Sequence, residues 1–148
     1  MTLFQKLINS DNSRTTLIIR VMVGAVFLSE GIQKLLFPAI RGAGRFEKIG
    51  LPSPEFLGTW VGTFEILCGV MILIGMLTRL ASIPLLIIMI VALATTKVDL
   101  YTNEGFWAMA HGSRTDWTML LGSLFLLLKG SGKFSVDRLL LINKGWKR

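Results

Sequence analysis

Across 148 residues the chain has one cysteine and one histidine, and only nine acidic residues against sixteen lysines and arginines. The lone cysteine, Cys68, excludes an intramolecular disulfide, a Cys-rich zinc site and a CxxC redox pair. There is no nucleotide-binding loop, no internal repeat and no low-complexity segment. Met71, Met76 and Met89 have no partner residues that would make them metal or haem ligands, so no metal site is expected. A net charge of +7 raises nucleic acid as a partner. No aromatic-interleaved basic motif supports that reading, and the cations gather in the flanks and tail, where phospholipid headgroups account for them.

Apolar residues are what the chain has in excess, at 52% of the total. With a mean hydropathy of +0.62, the composition points to an integral membrane protein, read as one domain over residues 1–148. The stretch Leu17 to Pro38 is long enough to cross a hydrocarbon core of about 30 Å, yet it carries Arg20, Glu30 and Lys34. Each such charge costs roughly 2.5–3.5 kcal/mol near the bilayer centre and needs partners on other helices. A signal-peptide core is shorter and would lack Glu30 and Lys34, and no small-residue cleavage site follows, so the start is read as retained.

Hydropathy and helix-end signals predict four spans, at 15–37, 55–77, 80–96 and 110–129. Pro38 stops the first, residues 39–52 read as a basic loop, and Ser53-Pro54-Glu55 reads as a helix start with Ser53 as N-cap. Spans two and three form a hairpin about Thr78 and Arg79. The last apolar run, Trp117 to Leu128, is too short to span unless its helix starts near Ala110, which draws His111, Arg114 and Asp116 into the outer membrane region. Residues 2–9 and 134–148 have the spacing of short surface helices, with Ser135 suited to cap the second. The expected fold is therefore all-α, a four-helix transmembrane bundle with short amphipathic N- and C-terminal surface helices. Nine cations on the terminal side against five on the other put both termini in the cytoplasm by the positive-inside rule.

In that topology Glu30, Lys34, Glu65, Lys97, His111, Arg114 and Asp116 all occupy the outer half, as candidate ligand or proton-relay residues. Glu30 and Lys34 can pair at i, i+4, whereas Glu65 lies near mid-span with no local partner. Arg20, Gly24, Phe27, Gly31 and Lys34 draw one stripe down the first span. On it the glycines, with Gly69 on the second span, admit a neighbouring helix or a flat ligand, and Arg20 is placed to snorkel to headgroups. Trp107 and Trp117 read as aromatic-belt anchors and Cys68 as a small packing residue.

These residues carry a resemblance. R-x-x-x-G-x-x-F-x-x-x-G-x-x-K at Arg20–Lys34, I-G-L-P at Ile49–Pro52, E-x-x-x-G at Glu65–Gly69, G-x-x-T-R at Gly75–Arg79 and G-x-x-S-x-D at Gly132–Asp137 resemble the DoxX family of small four-helix membrane proteins. The segment Gly105 to His111 is similar to that of the branch with FLSEGIQK in the first span, here Phe27 to Lys34. The resemblance implies kinship with the small subunit of a thiosulfate:quinone oxidoreductase and with membrane redox complexes. It implies a subunit of a quinone-linked complex in a bacterial-type inner membrane, with quinone as the cofactor to consider and redox subunits or a second copy of the chain as partners. The same charges also suit a small-solute or ion transporter, and the bundle also suits a non-catalytic scaffold for a partner enzyme.

Overall fold

A computed structural model describes residues 3–143, which are all-α with no strand. The long helices bury little of themselves and turn large apolar side chains outward: Ile18 is 69% exposed, Leu36 67% and Leu128 64%. That inversion fits a hydrocarbon solvent.

A short helix, α1 (Leu3–Ile8), buries Ile8 and packs against helices that come later in the chain. After a polar segment follows α2 (Thr16–Leu36), whose end at Phe37 precedes Pro38. The expected loop 39–52 is not all loop, for it contains α3 (Ala43–Lys48). This helix lies on α4 (Pro54–Ile74), and a Cβ at Gly58 would sit 2.8 Å from the Ala43 nitrogen. Ser53 does not act as a side-chain cap. Its φ is +47°, no side-chain bond reaches the helix, and the α4 start rests instead on Pro54 and Glu55. Gly75, at φ +70°, ends α4 in the left-handed conformation common after a helix C-terminus.

After Met76 and Leu77, α5 (Thr78–Ala92) begins. It does not stop near Thr96. A π-turn at Leu93–Lys97 carries it into α6 (Val98–Glu104), making a continuous rod of 27 residues. The Thr95 and Thr96 hydroxyls donate to the Val91 and Ala92 carbonyls at 2.8 and 2.6 Å, supporting the backbone where the ladder changes step. Gly105, at φ +85°, separates α6 from α7 (Phe106–Gly112). Ser113 then divides α7 from α8 (Arg114–Lys129), so no single helix begins near Ala110. At 16 residues α8 is about 24 Å long. The rods Thr16–Leu36, Pro54–Ile74 and Thr78–Glu104 are the three that are long and apolar enough to cross a membrane among the described residues. The chain continues into α9 (Val136–Asn143), whose start Ser135 caps by accepting the Arg138 N–H at 3.2 Å. Lys144 to Arg148, the basic end of the expected C-terminal helix, lie outside the described residues.

Helices α2, α4, α5 and α8 contact one another in a closed ring, α2 on α4, α4 on α5, α5 on α8 and α8 on α2. Each contributes to one apolar core that includes Val23, Phe27, Ile72, Leu85, Met119 and Leu126. The α2–α4 contact is the closest. A Cβ on Gly31 would stand 2.6 Å from the Gly62 carbonyl oxygen, and one on Gly69 2.8 Å from the Leu28 nitrogen. The core thins toward the end where α2 finishes: α5 has no buried residue beyond Met89, and α8 none before Met119.

Candidate functional site

The glycines on α2 and α4 meet helix, not ligand. Gly24 and Gly69 face each other's carbonyls, with a Cβ at Gly24 falling 2.9 Å from the Gly69 oxygen. No ring fits into that seam. Its effect is to bring the α2 and α4 backbones close enough for side chains flanking it to reach across.

Lys34 is the side chain that reaches. Its Nζ lies 2.7 Å from Glu65 Oε2 and 3.7 Å from a Glu30 carboxylate oxygen. Side-chain exposure falls from 40% at Glu30 to 11% at Lys34 and 4% at Glu65, so the three run from the surface inward. Glu65 is buried, and Lys34 meets its carboxylate both by charge and by hydrogen bond. The pair is therefore a buried ion pair, whose desolvation is costly in a low-dielectric setting and is offset by the short contact. Arg45, on α3, also acts on Glu65 electrostatically, as does Glu30. Arg45 went unrecognised in the sequence because it sits in what reads as a loop.

The remaining charges expected in the outer half form a second group. Lys97 Nζ lies 2.9 Å from Asp116 Oδ2 and donates to the Gly112 carbonyl at 2.8 Å, which ties the α6–α7 segment to α8. Arg114 donates to the His111 carbonyl at 2.8 Å, and both side chains are exposed. Among the described residues no hydrogen bond or ion pair joins this group to Glu65. His111 thus lies on α7, outside α8, and the seven charges divide into an α2–α4 set and an α5–α8 set.

At the opposite end Arg20 does not snorkel. It is 1% exposed and is held by backbone carbonyls: Nε donates to Ile72 at 2.8 Å, Nη2 to Leu73 at 2.5 Å, and Nη1 to Ser131 at 3.1 Å and to Phe134. Two of these are among the last carbonyls of α4, at the negative end of the helix dipole, and the Ile72 carbonyl also accepts the Gly75 N–H at 3.1 Å. Asp137 does the complementary work at the start of α5, accepting the Leu77 N–H at 2.7 Å and the Thr78 N–H at 3.2 Å. Burial pushes its carboxyl above the ordinary value, against the downward pull of these N–H groups. Arg79 donates to the Asn9 and Leu127 carbonyls at 2.8 and 2.7 Å. Ser10 and Gly132 bond to each other, so the N-terminal segment, the α4–α5 turn and the segment before α9 form one knot. In the sequence Asp137 was visible only as a member of G-x-x-S-x-D, and Arg79 as a cation of the turn and a member of G-x-x-T-R, with no partner assigned to either.

The arrangement assigns the two ends different chemistry. The knot meets its charges mainly with backbone groups at helix ends and turns. The α2–α4 set holds a buried carboxylate and an ammonium shared between two carboxylates, side-chain groups able to bind a polar carbonyl group and to hold or pass a proton. Among the described residues, no three His, Cys, Asp or Glu side chains gather as a metal site requires.

Comparison with known proteins places this geometry. The family model described as DoxX matches residues 15–98. The chain is 47% identical over 139 residues to the uncharacterized membrane protein Rv3486 of Mycobacterium tuberculosis (strain ATCC 25618 / H37Rv), a match covering 90% of this chain and 85% of that protein. It is 31% identical over 123 residues to a Bacillus subtilis (strain 168) protein named "Putative oxidoreductase CatD", covering 82% of this chain and 84% of that one. No solved structure matches. The family match contains Glu30, Lys34 and Glu65 and ends before Asp116.

Proposed function

The chain belongs to the DoxX family of membrane proteins, and from that premise we propose that it is a four-helix subunit of a quinone-linked redox complex in a bacterial-type inner membrane. Both termini face the cytoplasm, and α8 is the fourth span. The observation that carries the reading is the buried Lys34–Glu65 ion pair, continued outward by the partly exposed Glu30. The name of the Bacillus relative supports the oxidoreductase setting.

A quinone fits the donor set. When bound, it would supply two-electron, two-proton chemistry, with its electrons exchanged through a partner subunit. The residues here bind and manage protons. The Lys34 ammonium would hold the ring through a carbonyl oxygen, and the Glu65 carboxylate would hold or release a proton beside it. Glu30, at the exposed end of the series, exchanges protons with water and returns Lys34 to its resting position through the i, i+4 contact. The gradient of exposure along the three residues gives that exchange a direction.

Native mass spectrometry of the gently extracted protein, with solvent extraction of what accompanies it, tests the reading first. A stoichiometric quinone or redox subunit is the expected result, and Glu65→Gln should lose the quinone. Full quinone binding and turnover in that variant would remove Glu65 from the mechanism, and a chain carrying only phospholipid would move the function to transport or scaffolding.

A further inference from the structure

The outer part of the α4–α5 contact holds a cavity of about 440 Å³, within the roughly 300–1,000 Å³ of ligand pockets. Its lining includes Phe56, Trp60 and Phe64 on one wall and Pro84 and Ile88 on the other, with no polar residue. The three aromatic rings form a ladder, their centroids 5.6 and 5.4 Å apart in sequence. Phe56 and Trp60 are 59% and 49% exposed, so the cleft opens sideways, toward lipid, while α5 leans on α8 more than on α4. The cavity does not include Glu65. Its lining does include Val61, four residues before Glu65 and therefore one turn away on the same side of α4.

We infer that this cleft is the lateral entrance and chain-binding site for a quinone, which rests on the reading of Glu65 and Lys34 as its headgroup site. An apolar chain lies along the Phe56–Trp60–Phe64 ladder while the ring passes Val61 to the buried pair. Two observations select a molecule with both parts over an ordinary phospholipid. The cleft is wholly apolar and aromatic, as suits an isoprenoid chain. Beyond Val61 lies the Glu30–Lys34–Glu65 set, two acids and one base, whose net negative charge repels a phosphodiester anion and admits a neutral ring.

The test is equilibrium binding, in lipid nanodiscs, of a decyl-substituted dimethoxybenzoquinone and of the same ring without the chain. Val61→Phe narrows the cleft and should weaken the decyl compound roughly tenfold while leaving the chainless ring unchanged. Ile88→Phe, on the facing wall, should do the same and covers a Val61→Phe protein that fails to fold. In the otherwise native chain, Trp60→Phe should abolish most of the tryptophan quenching that the decyl compound causes. Equal loss for both compounds, or no loss, in a folded cleft variant overturns the proposal, as does quenching that survives in Trp60→Phe. Brominated phospholipid chains that occupy the cleft unchanged by added quinone, or a dimer that Val61→Phe dissociates, assign the cleft to lipid or to a second copy and also overturn it. Glu65→Gln separates the two readings. If it weakens both compounds and the cleft variants weaken neither, the headgroup site stands and the cleft falls. If it weakens neither and chain selectivity persists, the cleft stands and the headgroup site falls.

Discussion

Charged side chains at the two ends of this molecule meet different kinds of partner. Where α2 begins, Arg20, Arg79 and Asp137 bond almost entirely to backbone carbonyls and N–H groups at helix ends and turns. Where α2 finishes, Lys34 meets Glu65 and Glu30, and Lys97 meets Asp116. Backbone partners are fixed in place by the helices that carry them, and they neutralise a charge by many small dipoles. Side-chain partners can exchange, protonate or yield to a ligand. A buried charge of the first kind therefore holds the fold together, and one of the second kind is available for function.

The comparison predicts a graded series in stability, read as thermal midpoints in one detergent. Arg20→Met should be the most damaging, costing about 3–5 kcal/mol, because it strips donors from buried carbonyls of α4 and the segment before α9. A fully stable Arg20→Met protein would erase the distinction between the ends. Gly31→Ala should follow at about 1–3 kcal/mol, since its methyl would press on the Gly62 carbonyl and force the α2–α4 seam apart. Separating that seam also lengthens the Lys34–Glu65 contact, so this variant should bind quinone more weakly as well. Asp137→Ala should cost about 1–2 kcal/mol through the lost cap on α5, and Asp137→Asn should recover part of it, because an amide oxygen still accepts one of the two N–H groups. No recovery would mean that the carboxylate acts through charge on Arg20 more than as a cap.

How much of this was legible in the sequence also differs between the ends. The all-helical class, the apolar rods and the Glu30–Lys34 pair follow from hydropathy and helical spacing, which are properties of single segments, whereas the meeting of Lys34 with Glu65 depends on how two helices pack. The role of Arg20 does not, because its partners are carbonyls of residues 72, 73, 131 and 134, and a carbonyl leaves no trace in residue identity. A charge near a helix end looks the same whether it snorkels or caps a neighbour. Ser53 and Ser135 show the same limit on a smaller scale. Both precede helices, yet only Ser135 places its oxygen on a helix N–H, since Ser53 has a left-handed backbone that turns it away. The glycine stripe was equally open between helix and ligand until the facing carbonyls supplied the distances.

The smallest expected effect is the sharpest test of the open end. Glu30 is 40% exposed at its side chain and 3.7 Å from Lys34, so Glu30→Gln removes a partly screened i, i+4 contact and should change stability by no more than about 0.5 kcal/mol. If Lys34 is shared between two carboxylates, that variant should nonetheless alter binding, because Lys34 then has Glu65 as its remaining carboxylate partner at 2.7 Å and must leave it to serve a ring carbonyl. The expected result is a near-native midpoint with quinone affinity lowered several-fold, and Glu30→Asp, with a shorter reach, should fall between. A Glu30→Gln protein that loses stability and keeps its affinity would show the opposite, a pair that holds the helix as Arg20 holds the knot. The two ends would then differ only in the partners they use, and the search for a ligand site would move from Lys34 to the Lys97–Asp116 pair.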